Sequence, residues 1–173
     1  QPLWVKISIR IDKKPAILLG LGSSLIAGLY FLFLVIMRNT AAGQAMWFLP
    51  FSVLSGFGMG GLFAIPLSMI ADTIDVEELN SGERKEGIYY GCLTLCYKLS
   101  QSVAILILGI FLDLVKFDSN LDHQPAGTVF ALGLILAIGS ILSIIVAMGF
   151  CNKYSLNRKK IAHVQQQLHA GKE

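Results

Sequence analysis

Residues 65–98 read IPLSMIADTIDVEELNSGERKEGIYYGCLTLCYK, and the rest of the chain is ordered around this stretch. It links the end of one apolar run to the start of another through a segment carrying Asp72, Asp75, Glu77, Glu78, Glu83, Arg84, Lys85 and Glu86. It then sets a single lysine, Lys98, among apolar residues on both sides. A soluble core rejects such an ammonium group and a bilayer rejects it more strongly, so Lys98 demands either a partner or a path to water.

Composition gives the class of protein. The chain is 54% hydrophobic and 14% charged, with a mean hydropathy of +0.65, against roughly 25% charged in an ordinary soluble domain. Residues 16–37, 46–71, 88–112 and 127–151 form four apolar segments, each long enough to cross a hydrocarbon core of about 30 Å as a helix of about 20 residues. Three of them contain no charge, and Lys98 alone interrupts the third. A soluble bundle would show a polar face every 3.6 residues, whereas residues 18–37 and 129–148 are apolar all round. The first apolar run is not expected to be a cleaved leader, because a charged segment precedes it and three further runs follow it. The expected fold is therefore all-α and membrane-embedded: a basic loop over residues 1–15, four transmembrane helices over 16–151, and a tail over 152–173.

Lysine and arginine set the expected orientation. The leading segment holds Lys6, Arg10, Lys13 and Lys14, the first loop Arg38, the second Arg84 and Lys85, the third Lys116, and the tail Lys153, Arg158, Lys159, Lys160 and Lys172. This alternation of rich and poor predicts that both ends and the acidic loop are cytoplasmic. The net charge of +3 is spread over these separate loops and so predicts no nucleic-acid surface.

Small residues mark where helices can approach. The first span carries Gly20, Ser23, Ser24, Ala27 and Gly28, and the second Pro50, Gly56, Gly58, Gly60, Gly61 and Pro66. Gly56 and Gly60 have the spacing of a membrane packing motif, and the same residues could equally serve as a hinge. Asp72 and Asp75 then sit at the expected C-terminus of the second span, where the helix dipole is already negative, so a cation must lie nearby: Arg84, Lys85 or the leading basic segment. On the third span Tyr90, Thr94, Tyr97, Lys98 and Gln101 share roughly one helix face. Lys98 lies about 15 Å in from the expected helix start, too deep to reach the headgroups easily. In the tail, Leu156, Ile161, Val164 and Leu168 form an apolar stripe, expected to lie at the membrane surface. Cys92, Cys96 and Cys151 lack metal-ligand companions, and His123, His163 and His169 are not placed for a catalytic pair, so neither a metal site nor an enzyme is expected.

The run D-T-I-D-x-E-E followed by S-G-E-R-K-E-G, with a lysine eleven residues after Gly87, resembles the signature of the glycoside-pentoside-hexuronide:cation symporter family of the major facilitator superfamily. Its usual form is D-x-x-D-[YF]-x-E-x-x-T-G-x-R-x-E-G, matched by Asp72, Asp75, Glu78, Gly82, Arg84, Glu86 and Gly87, with Val76 and Ser81 as departures. The leading PLWVKISIRIDKK is similar to the basic loop before the ninth of twelve helices, with Asp12 where that loop normally has glycine. Aspartate tolerates the left-handed region better than most residues. The resemblance implies the last four helices of a twelve-helix fold, with a partner N-terminal half of the same transporter. It further implies cation-coupled symport, by Na+ or H+, of a small solute, most often a sugar or glycoside, in the bacterial inner membrane. Lys98 would sense the carboxylates that bind the coupling ion. Phe63 would take the place of an aromatic that stacks on sugar, with Thr94, Tyr97 and Gln101 beside the ligand. Asp72, Asp75, Arg84 and Glu86 would form a cytoplasmic gate, Arg84 and Glu86 pairing with the other half. A lysophospholipid symporter of the same family is an alternative, and so is a receptor or assembly subunit on the same scaffold. Because four helices make no transport path by themselves, and the chain starts at Gln1, these residues are expected to be part of a longer protein.

Overall fold

The computed structural model describes residues 2–38, 44–121, 123–154, 156 and 158–170; Lys172, counted above with the basic tail, lies outside them. The elements are α1 (Pro2–Ile11), α2 (Lys13–Ile36), a 3-10 turn (Ala45–Phe48), α3 (Leu49–Ser81), α4 (Glu86–Leu114), α5 (Ala126–Asn152) and α6 (Arg158–Ala170). Among the described residues there is no strand. Among the described residues four helices are long and apolar enough to cross a membrane: α2, α3 with its preceding turn, α4 and α5. Helices suit such a setting because every backbone polar group is satisfied within the segment.

Two boundaries differ from expectation for physical reasons. The second span does not end near Ala71 but continues as helix to Ser81, closing on Gly82 at φ 73°, whose N–H returns to the Glu78 carbonyl. Hydropathy marks where a helix leaves the membrane, not where it stops, and only glycine enters the left-handed region without strain. Asp72 and Asp75 are thus inside the helix rather than at its end. The leading segment, expected as a connector, is largely the helix α1, and Asp12 alone separates it from α2. Asp12 adopts φ 79° and ψ 160°, a region that glycine alone enters freely, while its side chain accepts the Lys13 N–H.

The packing centre lies between α1, α2 and α3, where Trp4, Ala16, Ile17, Leu21 and Ile65 are buried together. Trp4 inserts against the glycines of α3. Its indole N–H donates to the Phe57 carbonyl at 2.8 Å, and a Cβ on Gly61 would stand 2.9 Å from its ring. At Gly58 a Cβ would come within 2.9 Å of the Gly20 carbonyl oxygen and of Ser23 Oγ. The close contact of α2 with α3 therefore uses Gly20 and Gly58. Of the expected Gly56–Gly60 pair, Gly60 meets Trp4 whereas Gly56 faces open space. Lipid tails are as apolar as leucine, so such close approach, not the hydrophobic effect, holds these helices together. By contrast α4 has no buried residue and touches α3 and α5 only lightly.

The tail helix also departs from expectation. Ile161 and Val164 of its apolar stripe are buried, and α6 packs on α3 instead of presenting that stripe to a bilayer.

Two substitutions test this packing by melting of the full-length protein in detergent. Gly58→Val is expected to cost about 1–3 kcal/mol by overpacking the α2–α3 contact, and Gly22→Val, which meets nothing within 4 Å, to cost little. Asp12→Gly is expected to stabilise by about 1 kcal/mol through relief of backbone strain, whereas Asp12→Val destabilises.

Candidate functional site

One end of the bundle gathers the charged groups. The N-terminus of α2, the extension of α3, the start of α4 and the end of α5 all lie there, joined by Lys13 to Asp72 and by Lys14 to the Asn152 carbonyl. Lys13 Nζ donates to both oxygens of Asp72 at 2.6 and 2.7 Å and to the Ser68 carbonyl at 3.1 Å. Asp72 is only 5% exposed, so the pair compensates a carboxylate that has left water.

A second knot forms round Arg84. Its guanidinium donates to Glu78 at 2.6 Å, Asp75 at 3.2 Å and Glu86 at 2.6 Å. Glu78 first, and then Glu86, hold Arg84 further above its ordinary pKa, with burial opposing them. Asp75 also accepts from Gln165 of α6 at 2.9 Å, which ties the tail to the same knot.

Of the expected gate residues, Asp75, Arg84 and Glu86 come together, whereas Asp72 joins Lys13 instead. Arg84 bonds to Glu86 and to Asp75 and Glu78 of this chain's own α3. The cation owed to the acidic helix end is supplied by two of the predicted sources, Arg84 and the leading segment. The part of Glu78 as an acceptor of Arg84 was visible only as a motif position. Gln165 and Trp4 gave no signal, because their partners are 90 and 53 residues away in sequence.

Between α1, α3 and α6 lies a cavity of about 480 Å³, lined by the polar Asp12, Lys13, Ser68, Asp72 and Gln165 together with the apolar Val5, Ile9, Ile65 and Ile161. Near it Tyr154, also unremarked in sequence, buries a hydroxyl that has no hydrogen-bond partner among the described residues. Burial, and then the charges of Asp72 and Asp12, push its pKa up to about 12. Among the described residues no three His, Cys, Asp or Glu side chains converge on a metal position.

The remaining expected residues sit on α4 and α3. Thr94, Tyr97, Lys98 and Gln101 are all exposed on α4, and Phe63 is exposed on α3. At 100° per residue the α4 four span about 100° of the helix surface, a single stripe. Thr94 Oγ1 donates to the Tyr90 carbonyl at 2.8 Å, which leaves its oxygen free to accept. Among the described residues Lys98 makes no ion pair or side-chain hydrogen bond. Chemically the stripe offers a cation, a hydroxyl, an amide and an aromatic ring along one accessible helix face.

Residues 1–158 match the model of a family described as MFS/sugar transport protein. A protein of Synechocystis named an uncharacterized symporter is 28% identical over 127 residues, 71% of this chain and 22% of its own length. A putative sulfoquinovose importer of Escherichia coli is 28% identical over 125 residues, 72% of this chain and 27% of its own length. A sodium-dependent lysophosphatidylcholine symporter of Mus musculus is 23% identical over 176 residues, 99% of this chain and 31% of its own length. The chain thus spans about a quarter of the length of the curated relatives it matches. No solved structure gives a significant match.

The Tyr154 phenol titrates higher in the folded protein than its ordinary value of 10. Its contribution to stability is therefore complete below pH 10 and lost as pH rises through about 12. In melting curves across that window, Tyr154→Phe is expected to lose less stability with rising pH than the parent. Near neutrality it should be unchanged or slightly more stable, since an unpaired buried hydroxyl is removed.

Proposed function

Because this chain belongs to the MFS/sugar transport protein family, we propose that the whole protein is a cation-coupled symporter that moves a small solute by alternating access. The family and the matched relatives are transporters rather than enzymes. The observation that carries the reading is Lys98: a cation near the middle of a 29-residue spanning helix, exposed on a polar stripe and unpaired among the described residues. A charge so placed is stable only beside water or an opposing charge. We place it in a wet cleft shared with the remaining helices of the same polypeptide, where Na+ or H+ fills carboxylates facing it. Filling those carboxylates changes the field at Lys98 and so the affinity for solute, which is coupling in the thermodynamic sense.

The solute we favour is a sugar or glycoside. Thr94 and Gln101 supply the hydrogen-bonding groups that a polyol requires, and Phe63 and Tyr97 the faces on which a sugar ring stacks. The relative named a sulfoquinovose importer supports this reading. A lysophospholipid is the second reading, supported by the match of the mouse lysophosphatidylcholine symporter over 99% of this chain, tail included. In either case we orient the acidic loop and both ends of this segment toward the cytoplasm by the distribution of lysine and arginine. The preferred membrane is the bacterial inner membrane, since several of the relatives are bacterial. The Arg84 knot then acts at the cytoplasmic gate, with Lys13–Asp72 bracing the helix that carries it.

The test is uptake by the full-length protein in proteoliposomes under an imposed Na+ or H+ gradient, with labelled sulfoquinovose, an alkyl glucoside and lysophosphatidylcholine as solutes. One of the solutes is expected to accumulate. Lys98→Ala should lower gradient-driven uptake about tenfold or more while insertion and melting temperature stay unchanged. Unaltered uptake in that variant would overturn the coupling role, and no accumulation or exchange of any solute would overturn transport of these classes.

A further inference from the structure

The opposite end of the bundle carries a feature that neither the charge knot nor the Lys98 stripe uses. A furrow of about 630 Å³ runs between α2, α5 and the 3-10 turn, walled mainly by Phe31, Leu34, Val35, Phe48, Val129 and Phe130. Its floor exists because α5 closes on α2 at Gly133, where a Cβ would stand 2.9 Å from Val35 Cγ2. Apolar walls at the end of two spanning helices lie at the depth of lipid chains.

Arg38 stands on the rim of this furrow, one residue beyond the cap of α2. Its guanidinium sits 4.6 Å from the centre of the Phe130 ring and donates to the Ala126 carbonyl at 2.7 Å. These contacts hold the group in place and use one of its five donors, which leaves a planar fork free at headgroup level. Trp47, adjoining the wall residue Phe48, bonds Gln44 and lies half exposed, as an indole at a membrane interface does.

An apolar trough ending in a fixed, partly unused guanidinium matches one ligand chemistry: an acyl chain joined to a phosphate diester. We propose that this furrow is a phospholipid-binding site, with a chain of the lipid lying along Phe31, Val35, Val129 and Phe130 and its phosphate held by Arg38. The two terminal oxygens of the diester suit the fork of the guanidinium. A net-anionic headgroup such as phosphatidylglycerol binds more tightly than phosphatidylcholine, whose ammonium group would oppose Arg38. The site lies at the end of the bundle opposite the Arg84 knot, and it is independent of what the protein transports.

The experiment is native mass spectrometry of the full-length protein in detergent, titrated with phosphatidylglycerol. Arg38→Gln is expected to weaken the tightest lipid-binding event about tenfold, the size of a lost charge-assisted hydrogen bond to phosphate. Val129→Trp, which fills the furrow while keeping the arginine, is expected to weaken it as well. Lys116→Gln removes a cation outside the furrow and is expected to leave that event intact. The proposal is overturned if Val129→Trp binds as the parent does, or if Lys116→Gln weakens binding as much as Arg38→Gln.

Discussion

The constraint on which the rest depends is that an ionised group cannot rest in hydrocarbon without a partner or water. In this chain it acts as a sorting rule. Lys98 is the one charge that lies deep inside an apolar run, and the others collect at its ends. At the charged end the carboxylates that lose water are paired, Asp72 with Lys13 and Glu78 with Arg84. Residues 72, 75 and 78 recur every three positions, so the acidic row drifts by about 60° per step round α3. That drift turns it from α2, where Lys13 waits, toward the loop that carries Arg84. Continuing α3 as helix past the apolar run is what makes this geometry possible, because an early turn would scatter the three carboxylates.

Packing follows from a second consequence of the same solvent. Apolar side chains gain nothing by leaving lipid for protein, and helices adhere where their backbones can come close. Gly20 against Gly58 and Gly133 beneath Val35 bring α2 into contact with α3 and α5, and Gly61 beneath Trp4 seats α1 on α3. Trp4 adds a hydrogen bond to Phe57, an interaction that costs little to form where no water competes. The helix without such contacts is α4, and it is the one that bears the polar stripe.

Much of this was legible in the sequence, and the reason is the same solvent. Length and apolarity gave the four spans to within a few residues at most ends, since hydropathy measures partition directly. The debt of positive charge at Asp72 and Asp75 could be read from the helix dipole, although its creditors, Lys13 at a separation of 59 residues and Arg84 at 9, could not be told apart without the fold. The helical state of residues 2–11 and of 72–81 was missed because neither lies in an apolar run, and charge says where a segment sits rather than how its backbone turns. At Asp12 a left-handed turn was expected, and the positive φ is there, but with ψ at 160° the residue lies outside the left-handed region that aspartate tolerates, in one that suits glycine. The tail stripe was read correctly as apolar on one face, but a moment has no address, and α3 rather than lipid covers it.

Among the described residues two kinds of cation stand out, those paired at the bundle's end and Lys98 at mid-span. Lys13 and Arg84 are paired with carboxylates of the same chain, and the resulting knots brace α2, α3, the loop and the tail. Lys98 is not drawn into that balance. The carboxylates Asp72, Asp75, Glu78 and Glu86 lie at the bundle's end and pair with Lys13 and Arg84 there. A cation held at mid-span on an open helix face, with hydroxyl, amide and aromatic groups aligned on either side, can respond to a charge that comes and goes. Responding to such a charge is the physical requirement of coupling an ion to a solute.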